Sequence, residues 1–136
     1  MDKLSFTPLK RIAHSKGDIL HALKRCEDDY NGFGEAYFSI INFKEIKGWK
    51  KHHEMVLNFV VPIGDVLFYV HDEDNNLTHQ FSVGESNHGR LHIPAGYWVA
   101  FEGLTKGVNI ILNIASIEHD PNESETVDIA RFSLHA

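Results

Sequence analysis

"MVLNFVVPIGDVLFYVHD", Met55 to Asp72, is the stretch that decides the fold. Two runs rich in Val, Leu and Phe are interrupted by Ile63-Gly64. Branched and aromatic side chains suit a pleated, half-buried surface, and a short break containing Gly between two such runs signals a hairpin. The stretch predicts two strands joined by a hairpin-like turn. Pro62 falls at a strand end, where a missing N–H is tolerated.

The same pattern continues on both sides. "DILHAL" (Asp18–Leu23) and "EAYFSIINF" (Glu35–Phe43) read as strands before it. "THQFSV", "RLHIPAG", "YWVAFEG" and "VNIILNIAS" read as strands after it, and "VDIARFSL" (Val127–Leu134) closes the chain. "DEDNN" (Asp72–Asn76) and "GESNHG" (Gly84–Gly89) are turn chemistry. Roughly eight or nine short strands at this spacing predict an all-β sandwich or barrel, a class that keeps ligands in its mouth. Only "LKRCEDDY" (Leu23–Tyr30) suggests a helix. There is no repeat or long linker, so residues 1–136 are expected to form one domain.

Composition narrows the function. The net charge of −6 argues against a nucleic-acid partner, which would need a basic surface. No apolar run approaches the ~20 residues of a spanning helix, so no membrane association is expected. The single cysteine, Cys26, excludes an internal disulfide and fits a reducing, cytoplasmic setting.

Upstream of the long apolar stretch lies "IKGWKKHHE", Ile46–Glu54. Residues two apart in a strand share a face, so Lys50 and His52 point together and Lys51 and His53 point away. A cation beside an imidazole suits proton transfer, with Lys50 holding developing negative charge and His52 moving the proton. The alternative is a solvated strand start.

Four stretches in order carry a resemblance: "GEAYFSIINFKEIKGWKKH", "NFVVPIGDVLFYVHDED", "NHGRLHIPAGYWVAFEGL" and "NIILNIASIEHDPNESE". Together they resemble the dTDP-4-dehydrorhamnose 3,5-epimerases and, more distantly, the dTDP-sugar 3,4-ketoisomerases. The resemblance implies a cupin-type double-stranded β-helix, that is, a jelly-roll barrel. It also implies proton transfer alpha to the ketone of a nucleotide-linked 4-keto-6-deoxy sugar, in surface-polysaccharide biosynthesis, by a homodimer with no cofactor. In a metal-binding cupin the four ligand positions would fall on Lys50, His52, Leu57 and Val99. A protonated lysine, a leucine and a valine cannot ligate, so no metal is expected there.

The resemblance also implies departures. The epimerase base position holds Lys50, and the tyrosine acid position holds Asn113. If the ketoisomerase pattern is used instead, one histidine of its pair, His52, remains. Lys50 and His52 are therefore the catalytic candidates. The ligand-binding candidates are Trp98 as a stacking surface, Asn113 for sugar hydroxyls, Arg90 for phosphate, Tyr69 and His71 as wall residues, His119 at the Asp-Pro corner and Glu102 as a nearby carboxylate. Each also has a structural reading, as core, turn or strand-end charge. At the level of function two readings stay open: an isomerase or epimerase, and a catalytically inactive cupin that binds a sugar or sugar nucleotide or supports a biosynthetic complex.

Overall fold

In the computed structural model, which describes residues 2–135, the two central runs form β6 (Leu57–Ile63) and β7 (Asp65–Asp72). They do not pair with each other as a hairpin would. Gly64 instead turns the chain from one sheet into another. Its φ is +80°, and a Cβ there would lie 2.4 Å from the Val108 carbonyl and from Asn109 Oδ1, so only glycine fits. Both strands are buried along most of their length, which a two-stranded excursion into solvent would not permit.

The first sheet orders β1 (Ser5–Pro8), β9 (Gly89–Ile93), β6, β11 (Ile110–Ala115) and β4 (Glu35–Ile40). The second orders β12 (Ser124–Thr126), β5 (Ile46–His52), β10 (Trp98–Gly103), β7 and β8 (Leu77–Gly84). All pairings are antiparallel, and the two sheets face each other as a jelly roll. β2 (Arg11–Ile12) and β3 (Ile19–Leu20) make a separate short ribbon. The expected strand at Asp18–Leu23 is thus reduced to two residues. "LKRCEDDY" forms turns rather than a helix, because its polar side chains serve the chain locally and hold Arg90.

Between the sheets lies the main core, in which Phe59 stacks on Phe68 at 5.1 Å between centroids beside Val61, Val66, Val70, Leu91 and Ile111. A second cluster sits on the outer face of the second sheet. There Trp49, Tyr69, Trp98 and Ala100 are covered by Val127, Ile129, Phe132 and Leu134. The closing stretch is therefore not a strand but a strap, with a 3-10 turn at Ile129–Arg131. Trp49 Nε1 donates to the Ile129 carbonyl at 2.9 Å and ties the strap down. Among the described residues no helix is long and apolar enough to cross a membrane.

Candidate functional site

The site is built on an irregularity in β5. Val99 of β10 pairs with Lys50, but Phe101 pairs with Lys47, so Gly48 and Trp49 together oppose Ala100. This is a β-bulge, which resets the alternation of the strand. Lys47, Lys50 and His52 all reach the inner side, while Trp49 faces out. Lys47 Nζ sits 5.9 Å from the Phe101 ring centroid. Gly48 leaves room for the strap, since a Cβ there would lie 3.3 Å from Ile129.

An open cavity of about 250 Å³ lies between the sheets at this end. The second sheet lines it with Lys47, Lys50, His52 and Thr126, and the first sheet with Tyr37, Ser39 and Asn113. Leu57, Phe59, Val99 and Ile111 form its apolar floor.

His52 is buried and its Nδ1 is bonded to Oε1 of Glu123, a residue 71 positions away in sequence. The other oxygen, Oε2, accepts from the backbone amides of Glu54 and Met55 at 3.0 Å each. Burial pushes the Glu123 carboxyl up. The His52 bond and the two amides outweigh it and hold the group down at about 2. An ionised carboxylate on Nδ1 fixes the imidazole with its proton on that nitrogen and leaves the Nε2 lone pair as a base. The pairing of Ser124 in β12 with His52 brings the adjoining Glu123 to the imidazole.

On the facing sheet Asn113 of β11 lies opposite Tyr37 of β4. Its Nδ2 donates to the Tyr37 hydroxyl at 2.9 Å. With one lone pair occupied in this way, the tyrosine keeps its own proton to donate. The cavity therefore carries a base on one wall, a hydroxyl donor on the other, and two lysines.

Of the residues singled out from sequence, the structure brings Lys50, His52 and Asn113 together at the cavity. The others lie elsewhere. Trp98 is on the outer face, with Nε1 donating to Glu73 at 3.0 Å. Tyr69 shares that face and donates to Glu102 at 2.7 Å; burial and that carboxylate push its pKa up to about 12. His71 is buried there too, 2.9 Å from Thr78 Oγ1 and stacked on Phe132 at 4.2 Å. These four cannot line the interior, because Phe68 and Val70 take the inward positions of β7. Arg90 is consumed in binding Asp29 at 2.9 Å, Glu27 at 3.1 Å and the Ala22 carbonyl at 2.6 Å, so it anchors a loop on the outer face of the first sheet. His119 is exposed and contributes its backbone amide to Glu35.

Sequence reasoning missed Lys47, Tyr37 and Glu123. Lys47 reaches the cavity only through the bulge, which leaves no clear mark in a single sequence. Glu123 sat in a corner read as a turn, and it does sit in one: Asp120 caps a 3-10 turn at Pro121–Glu123 by accepting from the Asn122 amide. Tyr37 could have been found from the placement of Asn113, because a strand beside β11 must offer some partner to a buried amide. Among the described residues no three His, Cys, Asp or Glu side chains converge as metal ligands would.

A cupin-type jelly roll with a cavity between its sheets is the class that fold and geometry define. Its structural neighbours are dTDP-sugar isomerases and epimerases. A dTDP-sugar isomerase from Desulfovibrio desulfuricans G20 matches with a TM-score of 0.89 at 27% identity, over 96% of this chain and 89% of that one. A sugar 3,4-ketoisomerase from Thermoanaerobacterium thermosaccharolyticum, in complex with TDP, matches at 0.75 and 15% identity over 90% of this chain and 86% of that one. A dTDP-6-deoxy-D-glucose-3,5-epimerase from Legionella pneumophila Philadelphia 1, in complex with dTDP-4-keto-L-rhamnose, matches at 0.79 and 13% over 93% and 73%. The last two show likeness of fold alone. No family model matches the sequence, and no curated protein does.

Proposed function

We propose that this protein isomerises or epimerises a nucleotide-linked 4-keto-6-deoxy sugar by proton transfer. The observation that carries the reading is the His52–Glu123 dyad facing the Tyr37–Asn113 pair across a cavity that also holds Lys47 and Lys50. The similarity to a dTDP-sugar isomerase over nearly the whole chain supports the ligand class.

In this reading the sugar enters between the sheets and its diphosphate stays toward the lysines. His52 Nε2 takes the proton from the carbon beside the ketone. The C–H bond electrons become the enolate double bond, and the carbonyl electrons move to oxygen. Lys50 stabilises that charge electrostatically, and the Tyr37 hydroxyl can protonate the oxygen. Returning a proton to a ring carbon from a different face gives the epimer. Returning it at the neighbouring carbon after tautomerisation gives the shifted ketone. Glu123 keeps the imidazole oriented through both transfers.

Proton exchange followed by NMR in deuterated water, with dTDP-4-keto-6-deoxyglucose, tests this. Loss of the C3 or C5 proton signal with the wild-type protein, and its retention with His52→Ala, is the expected result. Saturable binding without exchange would make the protein a sugar-nucleotide binder, and neither would remove this ligand class.

We further propose a cytoplasmic homodimer working in surface-polysaccharide biosynthesis. Support for the dimer comes from the outer face of β4, where Phe38 is 68% and Ile40 58% exposed next to Leu112 and Ile110 of β11. Exposed contiguous apolar surface of this kind marks an interface. Sedimentation should give a dimer that Phe38→Glu converts to a monomer; a wild-type monomer at micromolar concentration would end this part of the proposal.

A further inference from the structure

Asn113 stands out among the buried polar groups. It is 1% exposed, yet its Oδ1 has no hydrogen-bond donor among the described residues. Its Nδ2 is committed to Tyr37, and the strand on its other side places Phe59 opposite it. The nearby floor of Leu57, Phe59, Val99 and Ile111 has no donor side chain to offer. Asn58 makes an instructive contrast. It is equally buried, but Nδ2 reaches the Asp29 carbonyl at 2.9 Å and Oδ1 meets His92 Nδ1 at 2.8 Å. Native interiors leave few such atoms unpaired, and an orphan facing an open cavity calls for a donor from whatever enters it.

We infer that Asn113 is a specificity-determining residue whose Oδ1 accepts a hydrogen bond from a ring hydroxyl of the bound sugar. This rests on the sugar-nucleotide reading above and deepens it. Tyr37 and Asn113 then divide the labour. The amide nitrogen orients the phenol, and the amide oxygen registers the sugar through a hydroxyl that the apolar floor cannot recognise. A sugar lacking that hydroxyl leaves Oδ1 buried and unpaired, so the site rejects it. Sites built to bond a hydroxyl discriminate far more sharply than apolar pockets do.

The test is equilibrium binding by calorimetry of dTDP-6-deoxyglucose, which bears no ketone and does not react, and of its 2-deoxy and 3-deoxy analogues. Wild-type protein is expected to bind one of the two analogues at least ~30-fold more weakly than the parent and the other about as well, a conservative bound for a buried hydroxyl contact. That choice names the hydroxyl. Asn113→Leu is expected to bind the parent and the disfavoured analogue equally. Asn113→Asp, which keeps an acceptor in place, should retain the preference. Thermal unfolding of the ligand-free protein reports folding separately: Asn113→Leu removes the unpaired Oδ1 but also the Nδ2 bond to Tyr37, so binding by the variants is compared below their own melting temperatures. Equal wild-type affinity for all three ligands would overturn the inference while leaving the sugar-nucleotide reading intact, and that measurement needs no variant to fold. Preference unchanged in Asn113→Leu would also overturn it. Absence of binding to any of the three would remove both.

Discussion

The two faces of the second sheet each carry a buried histidine among residues suited to a sugar site, and they have opposite fates. On the inner face Lys47, Lys50 and His52 border a cavity. On the outer face Trp49, Trp98, Tyr69 and His71 would make an equally plausible sugar site by composition, yet the strap seals them. The two histidines sharpen the contrast. His52 is 8% exposed and His71 3%. His52 is bonded to an ionised carboxylate at the edge of open space, whereas His71 is bonded to a threonine hydroxyl under a phenylalanine ring. Access and partner, rather than residue type, separate a site from a core.

Removing each histidine is the most direct way to break that comparison. His52→Ala should lower the rate of substrate proton exchange by about 10²–10⁴-fold, the usual contribution of a positioned acid or base. His71→Ala should leave the rate per folded molecule within a few-fold of wild type and lower the melting temperature instead. Equal losses of exchange in the two variants would abolish the distinction between the faces.

Glu123→Gln probes the dyad next. The folded carboxyl titrates at about 2, below its ordinary 4.5. Its contribution to stability is therefore present above pH 4.5 and is lost as pH falls from 4.5 toward 2. That difference corresponds to roughly 3 kcal/mol. Urea unfolding should show Glu123→Gln less stable than wild type at pH 7, with the gap closing in acid. A gap that stays constant with pH would mean that the carboxylate charge is not what the His52 pairing uses.

The alternation of apolar residues made the strands legible. Val66, Phe68 and Val70 repeat every second position, and they do face the core. The partner of each strand was less accessible. Ile63-Gly64 looks the same whether the chain folds back beside itself or crosses to another sheet, and the choice depends on long-range pairing with β9, β10 and β11. For the site, two-residue alternation was enough to put Lys50 and His52 together. It failed at Lys47, where the bulge adds a residue, and it could not say which face of β7 is the interior. Both faces of that strand are buried, one by the opposing sheet and one by the strap, so Tyr69 and His71 carried no sign of being outside. Glu123 was beyond reach for a different reason. Its meeting with His52 spans 71 residues and exists only because β12 docks on β5.

The strap itself can be loosened. Phe132 is half-buried and touches Trp49, His71 and Trp98, with centroids 5.7, 4.2 and 5.4 Å away. Phe132→Ala should cost about 1–2 kcal/mol, less than a fully buried phenylalanine. Chemical denaturation would measure the loss. Affinity for a nucleotide sugar should not change if the outer face is only structural, and a matching loss of binding would show that the strap reaches the site through β12.

The smallest effect concerns pH. Thr78 donates to the Ser133 carbonyl at 2.8 Å, so its hydroxyl oxygen accepts from His71 Nδ1–H. Burial lowers the His71 pKa from its ordinary 6.5; Glu73 and Asp72 pull it back up, and Arg131 on the strap pushes it down again. The neutral form is the one the folded state prefers. Its contribution to stability is complete above pH 6.5 and is lost as pH falls through 6.5 toward the lower folded value. One proton bounds the slope at about 1.4 kcal/mol per pH unit. The informative quantity is the difference between wild type and His71→Phe, which preserves the stack on Phe132 and removes the titration. Proteolysis at Arg131 between pH 7.5 and 5.5 should accelerate more in wild type than in His71→Phe. If both respond identically, His71 is not what couples the strap to pH, and the sealed face is held by its hydrocarbon and aromatic contacts alone.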